Sequence, residues 1–185
     1  LYKLSMIVIL FVLVSFNKVS SPEPFTDDSK VYFKFSLNGP KENGVFTAEA
    51  EPNDIKSIQH KVVSTTAFKT GSINLMDFNN KAFASLKFPV KKGLFELLEA
   101  NSQNFILAIN VNKRLFTSKS VSVHITDLVE NTSNPLQLSL IKGKFEGVMK
   151  HSFTEDRKSK EETYTIHGEF QYISPKYQKQ LKKKR

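Results

Sequence analysis

The residues that could bind a metal or transfer protons are few and widely scattered. The histidines are His60, His124, His151 and His167, and no two lie two or four residues apart. Those are the spacings at which one strand or one helix presents a pair of ligands to a single ion. His124 and His167 each stand between apolar residues in a strand-like pattern, so we expect both to point outward. The sequence therefore predicts no local metal site and no cofactor.

Acidic pairs occur without a recognisable catalytic frame around them. The chain has no cysteine and no Gly-x-Ser-x-Gly segment, so the common nucleophile motifs are missing. Glycosidase-type carboxylates come from separate strands, which leaves a hydrolase open as an alternative. The motifs otherwise favour a non-enzymatic protein. The paired acids are Asp27 with Asp28, Glu96 with Glu99, Glu155 with Asp156, and Glu161 with Glu162.

Phenylalanine is abundant, with sixteen residues in 185 and no tryptophan. In a β-barrel or β-sandwich, large apolar side chains can line a cavity for an apolar molecule. The alternative is that the rings only fill a packed core. Seven rings fall on predicted inward faces and are the candidate ligand-binding residues: Phe33, Phe35, Phe46, Phe88, Phe105, Phe145 and Phe170.

The elements that must position these rings are strands. Val31, Phe33, Phe35 and Leu37 alternate with more polar residues, which is the period of a half-buried strand. Similar runs recur about nine or ten times along the chain. Only 93–100, with leucines at helical spacing, favours a helix, and the charged stretch 154–162 is predicted to be an exposed hairpin loop. The pattern predicts an all-β domain, an antiparallel β-barrel or β-sandwich with one short helix.

Glycine and phenylalanine recur together in a short motif. Gly-x-Phe begins at Gly44, Gly93, Gly143 and Gly168. A close approach of the backbone at the glycine, with a core ring two residues later, is the structural explanation we expect.

The N-terminal segment is typical of a secretory signal. A lysine at position 3 precedes an apolar run over 4–16 and small residues up to position 21. An uncleaved anchor is the alternative, although a spanning helix needs about 20 apolar residues. With no cysteine for lipid attachment or disulfides, we expect a bacterial periplasmic or secreted protein. The predicted organisation is a signal peptide (1–21), a linker (22–30), a single all-β domain (31–174) and a basic C-terminal tail (175–185).

The net charge of +9 is concentrated near the C-terminus. Residues 176–185 contain six basic residues and no acid. Outside the cytoplasm, anionic lipid or polysaccharide is the natural partner of such a segment, and nucleic acid is not. The alternative is a solvated, frayed terminus.

Three stretches resemble the YceI-like family of periplasmic β-barrel proteins. They are 29–35 followed by Gly44-Val45-Phe46, Gly71 to Leu75 followed by 83–90, and Gly147-Val148-Met149-Lys150. The resemblance implies a lipocalin-like barrel that holds an isoprenoid chain. The family's central Asp, His and Phe-rich segment has no counterpart after Leu94, so none of its binding residues is carried over. The signal, the Asn-Gly turn and the closing Gly-x-Phe strands are also similar to small uncharacterised exported proteins of Bacteroidota.

The function expected from the sequence is binding of an apolar ligand, such as a lipid or isoprenoid, in a Phe-rich interior. The alternative is an envelope structural or interaction module that contacts an anionic surface through its sheet and basic tail.

Overall fold

A computed structural model describes residues 30–50, 61–67, 70–77, 82–101 and 105–184. The predicted signal peptide (1–21), the linker up to residue 29 and the first part of a strand predicted over 55–68 lie outside the described residues. All statements below concern the described part of the chain.

Alternation of apolar and polar residues produces strands throughout, because successive side chains of a strand point to opposite faces. In β5 the even-numbered residues are buried and the odd-numbered ones are exposed or half-buried. The strands are β1 (Val31–Asn38), β2 (Asn43–Ala50), β3 (Lys61–Ala67), β4 (Gly71–Asp77), β5 (Ala82–Phe88), β6 (Gly93–Leu98), β7 (Leu107–Val111), β8 (Arg114–Glu130), β9 (Leu138–Glu155) and β10 (Lys158–Ile173). A helix, α1 (Pro175–Lys184), follows them.

The strands form one antiparallel sheet that curls into a half-barrel, with the order β2-β1-β10-β9-β8-β7-β5-β4-β3. The long strand β8 has two partners on the same side. Its first residues pair with β7, and Ser120 to Ile125 pair with β6. A bulge between Ser118 and Ser120 separates these two stretches. Because a bulge bends and twists its strand, β8 can turn from one partner to the other at this point.

The curl brings the two ends of the sheet together around one apolar core. The terminal strands β2 and β3 contact each other. Ala67 in β3 donates its N–H to Leu136 O at 2.9 Å, and the Leu138 N–H donates to Thr65 Oγ1 at 3.4 Å. The start of β9 is thereby linked to the far end of the sheet. The predicted fold class, an antiparallel barrel-like sheet with one short helix, is confirmed.

The position of that helix was predicted wrongly. Residues 93–98 form strand β6, followed by a 3₁₀ turn at Glu99–Asn101. Leu97 is fully buried, whereas Leu94 and Leu98 point to the other face, which is the alternation of a strand. The free edge of β8 supplies backbone partners here, and tertiary context of this kind overrides local helical spacing.

The charged stretch 154–162 is not a loop. β9 continues to Glu155 and β10 begins at Lys158, so only Asp156 and Arg157 form the turn. Both have positive φ, at 50° and 60°, as a two-residue type I′ turn requires. The stretch is exposed, as expected, but its backbone is paired and Lys160 forms an ion pair with Glu155 across the hairpin.

Candidate functional site

The seven candidate phenylalanines all belong to the apolar core or pack against it. Five are buried, with exposed fractions of 0–2%. Phe46 and Phe105 are half-buried and lie against the same core. The buried rings are Phe33, Phe35, Phe88, Phe145 and Phe170.

Five of these rings form one cluster on β1, β2, β9 and β10. Phe33 lies 5.7 Å from Phe145 and 6.0 Å from Phe170 between ring centroids, and Phe35 stacks on Phe46 at 5.0 Å. These are contact distances for aromatic pairs. The rings therefore fill the space between them, and their role as ligand-binding residues stays a prediction.

The Gly-x-Phe motif has a cross-strand explanation in β9 and β10. Phe145 stands directly opposite Gly168, and Phe170 stands directly opposite Gly143. An added Cβ at Gly143 would lie 2.7 Å from Phe170 Cζ, and one at Gly168 would overlap the ring of Phe145. Each ring thus occupies the space that the opposite glycine leaves empty.

A polar channel crosses the opposite face of the sheet. Two rows of outward side chains form its banks, and each of β8, β9 and β10 contributes one residue to each row. The backbones of Phe145 and Gly168 line the floor between the rows, and the volume is about 400 Å³. One bank consists of Leu94, His124, Lys144 and Glu169, and the other of Ser122, Glu146 and His167.

Several channel residues already have partners. Lys34 Nζ lies 2.5 Å from Glu169 Oε1, a buried oxygen whose contact with the ammonium lies off the hydrogen-bonding direction. The Ser36 Oγ lies 2.7 Å from His167 Nε2. Ser122 donates its hydroxyl to Glu96. These contacts hold both ends of the channel in place.

Three other channel residues are unpaired. Within the described part of the chain, His124, Lys144 and Glu146 form no side-chain hydrogen bond or ion pair. All three are exposed. The channel thus presents one cation, one anion and one imidazole to solvent.

Ser36 and His167 have the spacing of a nucleophile and its base, and Glu146 stands opposite His167 on β9. Acyl transfer also needs N–H groups that stabilise an oxyanion. Ser36 is in the middle of β1, which pairs with β2 on one side and β10 on the other. Its neighbourhood is therefore regular sheet, and the pair is better explained as a cross-strand hydrogen bond.

Glu146 and Glu169 bring carboxylates from two strands to one channel, the feature that a hydrolase would need. Glu169 is held by Lys34, however, and among the described residues no Phe, Tyr or Trp side chain stands on either bank to stack on a sugar ring. This arrangement does not favour the hydrolase.

A second polar cluster surrounds Glu162. Glu162 accepts hydrogen bonds from Lys41 Nζ at 2.6 Å, Arg114 Nη2 at 2.7 Å and the Tyr164 hydroxyl at 2.7 Å. Arg114 Nη2 also lies 2.8 Å from the Tyr164 hydroxyl oxygen. The hydrogen bond from Lys41, followed by that from Tyr164, lowers the pKa of Glu162 from 4.5 to about 2. These contacts join the turn between β1 and β2 to β8 and β10 and indicate a structural role.

The basic C-terminal segment is a docked helix. Pro175 occupies the first helical position, which suits a residue without an N–H. The Tyr177 N–H donates to Ser174 Oγ at 3.3 Å, and the Ser174 N–H donates to Ser139 O on β9 at 2.8 Å. Gln178 is buried, while Lys176, Lys179, Lys182 and Lys183 are exposed.

Neither a metal centre nor a membrane-spanning helix is found in the described ranges. No three side chains of His, Asp or Glu there converge as a metal site would require. The described helix, α1, has ten residues and is too short and too polar to cross a bilayer.

Comparison with protein-family models, with curated proteins and with solved structures gave no match. The resemblance to YceI-like proteins therefore stays a prediction.

The sequence pattern correctly predicts that His124 and His167 point outward. It does not predict that they line the same channel. Alternation around Phe145 and Phe170 also places Lys144, Glu146 and Glu169 on the outer face. What it does not supply is the register between strands, and only the register makes these residues neighbours.

Proposed function

We propose that this chain is an exported, non-enzymatic protein that attaches to an anionic surface of the cell envelope through helix α1. The observation that supports this is the pairing of a docked face with a cationic face on one short helix. Gln178 is buried and Tyr177 is half-buried, so the helix has a fixed orientation. Lys176, Lys179 and Lys183 follow at intervals of three and four residues and share the opposite side.

The charge of this face is not neutralised by the helix itself. The ten residues of α1 include no acid. Lysines in the last turn also interact favourably with the helix dipole, which is their structural role. The helix dipole favours lysines only at the C-terminal end of α1, so it does not account for Lys176 in the first turn. Lys176 donates a hydrogen bond to Ser133 and is still exposed.

Binding to vesicles tests this proposal. We expect the protein to sediment with vesicles that contain phosphatidylglycerol and not with vesicles of phosphatidylcholine alone. Added salt should release the protein from the anionic vesicles. Each lysine near an anionic surface contributes about 1 kcal/mol. Changing Lys176, Lys179, Lys182 and Lys183 to glutamine should therefore weaken binding by up to about a thousandfold.

A matched control removes the same charge elsewhere. Lys87, Lys91, Lys113 and Lys158 are all exposed and lie outside α1. Their replacement by glutamine should weaken vesicle binding far less. Equal losses in the two variants would mean that net charge alone drives binding, and the proposal would fail. Retention on heparin together with no binding to either vesicle would identify a polysaccharide as the anionic surface.

A second candidate function is binding of an apolar chain, such as a lipid or isoprenoid, in the interior of the half-barrel. It is supported by the cluster of Phe33, Phe35, Phe46, Phe145 and Phe170 inside a curled sheet. Since these rings are in contact, a ligand must displace some of them. Organic extraction of the purified protein followed by mass spectrometry tests the idea, and an extract without stoichiometric lipid would contradict it.

A further inference from the structure

The outer channel contains two opposite charges that face each other without contact. Lys144 and Glu146 lie two residues apart on β9, so they stand on opposite banks with their Cα atoms about 7 Å apart. Both are exposed, and neither forms an ion pair with a described residue.

The neighbours of these two residues explain why they stay unpaired. Lys144 stands opposite Glu169, which is held by Lys34 at 2.5 Å. Glu146 stands between Ser122 and His167. Ser122 is hydrogen-bonded to Glu96, and His167 to Ser36. The surrounding groups thus satisfy one another and leave one cation and one anion for a ligand.

We propose that the channel binds a free α-amino acid with an apolar side chain. Its carboxylate meets the Lys144 ammonium on one bank, and its ammonium meets the Glu146 carboxylate on the other. Because both charges sit on one carbon, the ligand straddles the channel, and its side chain lies along the floor towards Leu94. Leu94 is 67% exposed at the channel's end on β6 and gains apolar contact when this ligand binds.

The size and charge of the channel suit this class of ligand. A volume of about 400 Å³ lies at the lower end of small-molecule sites and is ample for one amino acid. A polyanion would meet the carboxylates of Glu146 and Glu169 as well as Lys144. A ligand with a single charge would leave either Lys144 or Glu146 without a partner.

Calorimetric titration of the protein with leucine and two derivatives tests the proposal. Leucine should bind, and N-acetylleucine and leucinamide, which each lack one charge, should bind about tenfold more weakly. Lys144→Gln should weaken leucine binding about tenfold and leave leucinamide binding unchanged. Glu146→Gln should weaken leucine binding equally and leave N-acetylleucine binding unchanged. In amide NMR spectra, leucine should shift the resonances of Phe145 and Gly168.

The controls are Lys87→Gln and Glu130→Gln, which remove the same charges at exposed positions outside the channel. Both should bind leucine as the unmodified protein does. The proposal is overturned if leucine produces no heat, if all four variants bind it equally, or if N-acetylleucine and leucinamide bind as tightly as leucine. The α1 lysine variant should bind leucine normally, so the vesicle result and this result are independent.

Discussion

The ring of Phe170 covers Gly143 on the neighbouring strand, so that an added Cβ at Gly143 would lie 2.7 Å from Phe170 Cζ. The same Cβ would lie 2.6 Å from the carbonyl oxygen of His124. One contact is a buried ring and the other is backbone, and neither can move away easily.

Replacing Gly143 with alanine should therefore destabilise the fold. We expect the free energy of unfolding to fall by about 1–3 kcal/mol, as for other overpacked cores. Urea denaturation measures the change. Gly44→Ala is the control, because its nearest contact is the half-buried ring of Phe46 at 3.2 Å on the edge strand β2. Equal stability of the two variants would contradict the expected overlap.

Tyr164→Phe removes a hydroxyl that donates to Glu162 and accepts from Arg114, and it keeps the buried ring. We expect a loss of about 1–2 kcal/mol in the free energy of unfolding, because the hydroxyl's partner in each of the two hydrogen bonds is charged. A double-mutant cycle with Glu162→Gln measures the coupling. Additive effects of the two changes would show that the hydroxyl and the carboxylate do not interact.

The low pKa of Glu162 makes stability depend on pH. Its value is about 2 in the folded protein and 4.5 without these contacts, so the unfolded chain binds more protons between those values. The stabilisation is therefore complete above the unfolded pKa and is lost as the pH falls from 4.5 towards 2. Denaturation at neutral and acidic pH should show a smaller acid-induced loss in Glu162→Gln than in the control Glu130→Gln. Identical pH profiles would be inconsistent with the Glu162 contacts.

Lys113 lies in the two-residue turn between β7 and β8, where Asn112 has a φ of 50° and Lys113 a φ of 66°. This left-handed backbone costs an L-residue about 1–2 kcal/mol, more than the entropic cost of glycine. Lys113→Gly creates an Asn-Gly type I′ turn and should raise the free energy of unfolding by about 0.5–1 kcal/mol. Lys158→Gly, at the first residue of strand β10, should lower it by up to about 0.5–1 kcal/mol. Thermal denaturation of both variants tests this difference in sign.

The sequence predicts the strands well where one face is apolar. The alternation of Val31, Phe33, Phe35 and Leu37 predicts the strand and the face that meets the core. It does not predict that Tyr32 and Lys34, on the other face, are buried as well. It fails at 93–98, where Leu94, Leu97 and Leu98 fit a helix equally well and the edge of β8 decides. It also fails at 154–162, because backbone pairing stabilises this hairpin without apolar burial.

Helix α1 was missed although a signal for it exists. Ser174 followed by Pro175 is a typical start of a helix, a capping residue and then a proline at the first position. The lysines that follow indicate only a charged segment. The polar channel, in contrast to α1, has no local signal in the sequence. Its residues come from four strands, and no local pattern encodes which of them become neighbours.

The reciprocal glycine–phenylalanine arrangement also determines how β9 and β10 align while the chain folds. A slip of two residues keeps every apolar side chain on the same face, so burial alone opposes it weakly. In one direction, however, the slip places Gly143 opposite Gly168, so that neither Phe145 nor Phe170 stands opposite a glycine. In the other it sets Phe145 against Phe170 and Gly143 against Tyr172. The native alignment is the one in which each ring stands opposite a glycine. These four residues therefore disfavour mispairing of β9 and β10, which form the longest hairpin of the sheet.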